Sequence, residues 1–599
     1  MTERRIRWAV LVITMFGFVT LGVVGVGGGE ESPRSRVRLA VIPTARAPMK
    51  ETHRTSWPMF GGSASRNMVN TTNTLPPLPK KGPDWEKNEE VDRWTREWVL
   101  WKADLGSKCH TQPVVAGGKV FVGTNNDRPR NVRDARMVNG ELEPIDKGIL
   151  MCFDERSGKF LWQAVFDKLA AGPVNDWPLQ GLCSSPTVDG DRLYFVSNRC
   201  TVVCADVNGL TDGRQGAVIR EKYSDRTDAD LYWEYDMRIE LDVFPHNMSA
   251  CSILIVSDLL FIGTGNGVDQ GHMKLPSPNA PSFIALNKHT GKLVWKDDSP
   301  GKDILHGQWA SPAYSAEPVP QVIFPGGDGW LRAFDPPTGK LLWKFDANPM
   351  DAVHELGGSG NKNDFIASPV ISGGRLYIGV GQDPEHSDGI GKFWCIDLKK
   401  AVEGGARNPT RDVSPELIVR VEKQPKRPDK VVTKPNSESA AVWMFGGEEK
   451  RRWAVSKFKF GRTMSNTTVV GDILYIPDLT GHIHCLNART GHHYWQYDTK
   501  SSIWGSCYYA DGKVLVGTES GDLYVWRHVP NPETIETIDP NAVDMKAARA
   551  FRKEKSKQIA DKYLIAQIEF DKPIRTTPCV ANGILYVATE QALHAFGKR

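Results

Sequence analysis

One pattern returns eight times along this 599-residue chain. A small or proline-containing turn leads into a β-branched run, then Gly or Asp-Gly, then a second strand. A third strand follows, ending in Asp or Asn, then Thr-Gly-Lys, then a fourth strand ending in Trp. The copies open at Thr111, Ser184, Ser249, Ala310, Ala367, Ser465, Gly505 and Thr576. Trp295 and Trp343 stand 48 residues apart, and Trp443 and Trp495 stand 52 apart. A period of about 50 with four strands per unit is that of propeller blades, each of which must bury its faces against its neighbours. The Thr-Gly-Lys turn supplies the hairpin before the last strand. The Trp after it fills the wedge between blades.

The eighth copy stops after three strands, at ALHAF. The stretch EWVLWKADL, from Glu97 to Leu105, is a fourth strand with nothing before it. It therefore completes the last blade and leaves the ring without an open edge. The expected fold is all-β: an eight-bladed propeller of four-stranded antiparallel blades, closed by an N-terminal strand and occupying residues 97–599. Two inserts interrupt it. Residues 399–438 read as an exposed loop, and residues 529–562 read as a helix from Asp539 onward. Both inserts are net positive; they read as solvated surface, with partner or membrane-surface contact as the alternative.

Ahead of the repeats, Arg4, Arg5 and Arg7 precede an apolar run from Trp8 to Val26. Its length suits a membrane anchor with the arginines on the cytoplasmic side. The alternative is a cleaved signal with its site near Val26-Gly27-Gly28. Residues 1–28 are thus a signal-anchor or signal peptide, and 29–96 a linker and N-terminal extension. The propeller is expected on the membrane facing the periplasm or exterior, or exported in soluble form.

The net charge of +4 on a chain that is 24% charged gives no reason to expect nucleic acid. The ten cysteines recur at equivalent repeat positions, which suits small packing residues; export leaves a disulfide framework as the alternative. Asp206–Gly213 reads as a polar turn in place of Thr-Gly-Lys rather than a calcium loop, since Leu210 and Ala217 stand where acidic ligands belong.

The motif A-x-D-x-x-T-G-x-x-x-W is met nearly in full at Ala333–Trp343 and, with Asn for Asp, at Ala285–Trp295. On this motif the chain resembles the quinoprotein alcohol dehydrogenase-like superfamily of pyrroloquinoline quinone (PQQ) repeats. It is similar also, in part, to outer-membrane assembly scaffolds of that fold, and on the opening WPMFGGSASRNMVN from Trp57 and stretches such as GGDGWLRAF and GVGQDPEHSDG it resembles exported planctomycete-type propellers of no settled activity. The resemblance implies a quinone site with a calcium ion held by Glu and Asn, and an Asp base. GTGNG at Gly263–Gly267 makes Asn266 a weak candidate metal ligand, since GTNN at Gly123 and GTES at Gly517 occupy the same hairpin in other blades and favour a structural turn. His306 stands where the resemblance calls for the base, and is a weak candidate catalytic residue. The Glu ligand finds no counterpart at Ser197–Thr201, no two cysteines are adjacent, and no C-x-x-C-H haem motif occurs.

The residues just before each innermost strand form the mouth of the channel. They include His110, His246, His306, Trp309, Asp364, Arg462, Trp504 and Arg575. Such a set suits an aromatic or anionic ligand by stacking and bidentate hydrogen bonds, or simply closes the ring with satisfied polar groups. The leading reading is a non-catalytic scaffold that binds a small ligand or protein at the propeller mouth, with no cofactor. The alternative is a PQQ-dependent dehydrogenase using calcium.

Overall fold

The computed structural model describes residues 56–79, 97–216, 222–348, 352–357, 362–381, 385, 389–422, 430–447, 459–534 and 545–598. The apolar run at 8–26, the linker to residue 55 and the proposed helix start at Asp539 lie outside them. No helix among the described residues is long and apolar enough to cross a membrane.

Eight four-stranded antiparallel sheets follow one another in chain order. The first runs Val114–Ala116, Lys119–Asn125, Lys147–Asp154 and Phe160–Asp167 from inside to outside. The eighth takes Cys579–Ala581, Ile584–Ala588 and Ala592–Phe596 from the C-terminus, and Val99–Asp104 from the start of the propeller. Lys102 pairs with His594 and Asp104 with Ala592, so the ring is closed between its two ends as the incomplete last repeat requires. The middle strands of the blades are buried almost without a break, as in Ile473–Pro477 and Thr201–Asp206, because each blade is covered on both faces.

The tryptophans latch neighbouring blades. Trp162, in the outer strand of blade one, donates its indole N–H to the Val207 carbonyl of blade two at 3.1 Å. Trp233 does the same to Lys288, Trp295 to Pro336 and Trp443 to Ala488. Each indole also lies on a glycine of the next blade's hairpin: Trp233 on Gly291, Trp295 on Gly339, Trp443 on Gly491. The signature motif is therefore a two-sided joint, whose glycine receives one neighbour's Trp and whose Trp is given to the other.

The insert at 399–438 corrects the expectation of a loop. Asp397 accepts from the Lys400 amide and caps a helix, Leu398–Arg407. Leu398, Ala401 and Gly405 form a buried stripe at helical spacing. Gly405 lets that helix approach the backbone of Leu342 and Trp343, and the Trp343 indole N–H donates to Gln321 Oε1 of its own blade. Beyond it, Glu416–Glu422 and Lys430–Pro435 form a hairpin with Ile418, Val419 and Val421 exposed. In the second insert a helix spans Met545–Tyr563. Asp206–Gly213 is a polar turn with a short 3₁₀ segment at Gly209–Asp212, and Gly209 packs on Trp162.

The N-terminal extension contains a structural element that its composition does not announce. Residues 57–73 lie across one end of the channel and touch the blades in order. Trp57 bridges Val115, and the Pro58 carbonyl accepts from Val188. The Ala64 and Ser65 carbonyls accept from Tyr314 and Ile371, Asn67 exchanges two hydrogen bonds with Val469, and Val69–Asn70 adds a short parallel strand to blade seven. Asn70 then donates to the Val580 carbonyl of blade eight. Arg66 is fully buried, and its guanidinium donates to the carbonyls of Pro312, Ser252 and Phe60 at 2.8–2.9 Å. Burial lowers its pKa to about 10. Gly61 and Gly62 take positive φ, and a Cβ on Gly62 would strike the Trp57 ring.

Candidate functional site

Residues 57–73 floor a central cavity of about 430 Å³, with Phe60 at its base. A belt of side-chain acceptors surrounds it. The backbone N–H of Gln112 donates to Ser185 Oγ, that of Ser185 to Ser252, and so on through Ser311, Ser368, Asn466, Ser506 and Thr577, at 2.8–3.1 Å. Each step joins one blade to the next. At the seam between blades eight and one, the floor segment takes part: Gly61 donates to Gln112 Oε1 at 2.9 Å, while Gln112 Nε2 donates to the Pro578 carbonyl. A serine that accepts an amide in this way retains its own O–H as a donor.

Above the belt the walls are mostly apolar. Trp177, Trp309 and Trp504 are the large surfaces, with Met248, Met464 and Ile366 between them. Trp309 is fixed by donating its indole N–H to the His246 carbonyl at 3.0 Å. His110 Nε2 contacts Gln180 Oε1 at 2.8 Å, and burial pushes its pKa down to about 4, so the ring is neutral and donates to the amide oxygen.

Of the eight residues expected at the mouth, five line the cavity: His110, His306, Trp309, Trp504 and Arg575. Arg575 does not present an open cation. It pairs with Glu519 and, at 2.5 Å, with Glu590, and its guanidinium lies 4.9 Å from the Trp504 ring centroid. Lys108 also pairs with Glu590, at 2.6 Å. The expected bidentate anion clamp is therefore occupied by the protein's own carboxylates. Asp364 and Arg462 are not among the lining residues. Asp364 forms a backbone bridge with Gly381, and Arg462 packs against Gly381 and Gly389.

His246 is part of a cluster beside the cavity that the order of residues does not reveal. Its Nδ1 lies 2.7 Å from the Val268 carbonyl, which fixes the proton on Nδ1 and turns Nε2 inward. That Nε2 meets His306 Nε2 at 2.6 Å. His272 and Glu385 complete the group: Glu385 Oε2 is 3.6 Å from His306 Nε2 and 3.8 Å from His272 Nε2. Glu385 Oε1 accepts from Asn247 Nδ2 at 3.0 Å. His272 and Glu385 sit in long connections between second and third strands, where the repeat offers no template. A His in such a loop carries no spacing signal, and neither does a Glu.

The quinone site implied by the resemblance does not fit these residues. Asn266 is fully buried; its Oδ1 accepts from the Phe244 amide and its Nδ2 donates to the Ser277 carbonyl. It ties two loops together rather than offering oxygen to a calcium ion. The position of the base holds His306, whose Nε2 is engaged by His246. A tricarboxylate quinone needs cations, and Arg575, the cationic side chain on the cavity wall, is neutralised.

Residues 267–402 and 430–527 match the sequence profile of the family described as outer membrane protein assembly factor BamB. No curated protein matches the chain. Among solved structures it is similar to BamB from Moraxella catarrhalis, at 12% identity and a TM-score of 0.44, over 83% of this chain and 97% of that one. It is similar also to a europium-containing methanol dehydrogenase, at 12% identity and a TM-score of 0.41, over 89% of each chain. A quinohemoprotein alcohol dehydrogenase from Comamonas testosteroni gives 11% identity and a TM-score of 0.39, over 83% of this chain and 85% of that one. With eight four-stranded blades and Trp–Gly joints made by the repeated motif, the chain is an eight-bladed propeller whose sequence matches the assembly-factor profile over parts of blades three to seven.

Proposed function

We propose that this protein is a binding propeller, exported and held at a membrane by residues 8–26, whose central cup takes one small, flat, largely aromatic molecule without transforming it. The observation that carries this reading is the cup itself: floored by residues 57–73, walled by three tryptophans and ringed by hydroxyl donors. Its volume lies in the range of small-molecule sites. Stacking on Trp309 and Trp504 would hold the ring system, and the serine hydroxyls would meet acceptor oxygens at its inner end. The occupied state of Arg575 speaks against a strongly anionic ligand. The apolar length behind Arg4, Arg5 and Arg7 supports the membrane placement, which N-terminal sequencing of the mature chain tests.

The neutral probe N-phenyl-1-naphthylamine tests the cup. Saturable one-to-one binding is expected, with affinity reduced at least tenfold in the Trp309→Ala/Trp504→Ala variant and an unchanged far-ultraviolet spectrum. Binding that does not saturate, or that ignores the substitutions, refutes it. A parallel titration with PQQ and calcium should leave the quinone's absorbance unchanged. Dye reduction by the reconstituted protein, lost in His306→Ala, would establish the dehydrogenase alternative instead.

A second reading, a protein-binding scaffold, is favoured by the assembly-factor profile and by the hairpin 416–435 with exposed Ile418, Val419 and Val421. Deleting that hairpin leaves probe binding intact if the cup is the working site.

A further inference from the structure

We propose that His246, His272, His306 and Glu385 form a binding site for one divalent transition-metal ion of the zinc type, at the rim of the cup. The proposal stands on the geometry of these four side chains and is independent of what occupies the cup.

Their ligand atoms all lie within 4.8 Å of one another. The three rings pack with centroids 4.3–5.0 Å apart, at angles of 56–66° rather than stacked. Nε2 of His246 and of His306 face each other, and Nε2 of His272 faces the same carboxylate as His306. The orientation of His246 is imposed from outside the cluster. Its Nδ1–H is bound to the Val268 carbonyl, the arrangement that fixes a metal-binding imidazole in the required tautomer. Asn247 does the corresponding work for Glu385 by holding Oε1.

The backbone around the cluster is equally determined. The Val268 amide donates to the His306 carbonyl at 2.9 Å, and the His246 amide to the Gly265 carbonyl at 3.1 Å. Gly267 sits between the two loops where a Cβ would collide with both. Trp309 pins the His246 carbonyl from the cup side. The loops that carry His246, His272 and His306 are thus held together, with His246 and His306 buried.

Two imidazole nitrogens 2.6 Å apart hold one proton between them. Around a tetrahedral ion with metal–nitrogen bonds of about 2.0–2.1 Å, the same nitrogens stand about 3.3 Å apart. The ion takes the place of that proton: His306 loses it from Nε2 to solvent and takes one up at Nδ1, so both imidazoles stay neutral and offer Nε2 lone pairs, and small side-chain rotations open the gap. Three imidazoles and one carboxylate select Zn²⁺, Cu²⁺, Ni²⁺ or Fe²⁺, and they disfavour Ca²⁺ and Mg²⁺, which require mainly oxygen donors. His306 and Glu385 both line the cavity, so an ion held here would sit where a cup ligand enters.

The test uses the full chain, free of any affinity tag, stripped with a chelator and titrated with Zn²⁺ and, as an optical probe, Co²⁺. One equivalent of zinc is expected, with a raised melting temperature and visible Co²⁺ bands of four-coordinate intensity. His272→Ala changes a half-exposed side chain and spares the fold; it should lower zinc affinity at least tenfold, as should Glu385→Gln. Millimolar Ca²⁺ should not compete. Less than a tenth of an equivalent bound, calcium displacing zinc, or unchanged zinc affinity in both variants would each overturn the proposal. Probe binding to the cup is read separately on the metal-free protein, so either result can fail alone.

Discussion

Trp101 lies flat against Gly158, so close that a Cβ on that glycine would come within 2.5 Å of the indole, and its N–H donates to the Glu155 carbonyl at 3.0 Å. Trp101 belongs to the strand that opens the propeller and Gly158 to the hairpin of blade one. This contact, with the pairing of Val99–Asp104 to Ala592–Phe596, makes the joint that closes the ring.

The closing joint should therefore govern stability. Trp101→Ala is expected to cost about 3–5 kcal/mol, and Gly158→Ala to be destabilising through the clash and its positive φ. Deleting residues 97–105 should lower the melting temperature far more than deleting 29–55. Equal denaturation midpoints for the two deletions would count against closure by this strand.

The floor segment should behave as part of the core. Arg66→Ala leaves three carbonyls without their donor, and each buried unsatisfied group costs about 1–3 kcal/mol. Arg66→Lys should rescue poorly, because one ammonium cannot reproduce the planar fork. Hydrogen exchange over residues 57–75 checks this. Wild-type protection there should match that of the blades and collapse in Arg66→Ala.

Acid should act through opposing buried groups. Burial lowers the pKa of His594 and of His110 from 6.5 to about 4. Below pH 6.5 the unfolded chain takes up protons that these folded rings refuse, so their contribution falls as pH drops from 6.5 to 4. Burial raises Asp346 from 3.8 to about 7 and Asp206 to about 6. These hold protons in the folded state that the unfolded chain has released, so stability gains as pH falls from 7 to 3.8. His594→Gln should flatten the first slope and Asp346→Asn the second, measured by urea midpoints between pH 4 and 8.

The ten cysteines are all buried and unpaired. Reducing agent should leave the melting temperature unchanged, and denatured protein should yield ten titratable thiols. A drop in stability on reduction would show pairing instead. Burial raises the thiol of Cys251 to about 11, which keeps it protonated and inert.

The insert at 399–438, where composition points to a loop, holds a capped helix. Asp397 at the N-cap and the Leu398–Ala401–Gly405 stripe are present in the sequence, but the Gly404-Gly405 pair and the prolines and charges that follow outweigh so short an amphipathic run. Arg575 lines the cavity. Its partners, Glu519 and Glu590, come from other repeat positions, so its charge state at the mouth was not legible.

What the sequence by itself determined is the ring. The A-x-D-x-x-T-G-x-x-x-W turn specifies both halves of the joint where it is complete on both sides, as between Trp295 and Gly339, and an incomplete last repeat with a spare first strand specifies closure. These are local signals repeated at a fixed period, and each blade needs only its neighbours to read them. What the tertiary structure decided is the cup. The floor at 57–73 gains its meaning only when eight inner strands present their backbone groups to it, and a run such as WPMFGGSASRNMVN has no periodicity of its own. His246, His272, His306 and Glu385 meet because three consecutive blades bring their loops to one side of the axis. Residues up to 139 positions apart in the chain become neighbours through the rotation between blades, and no spacing along one dimension encodes that rotation.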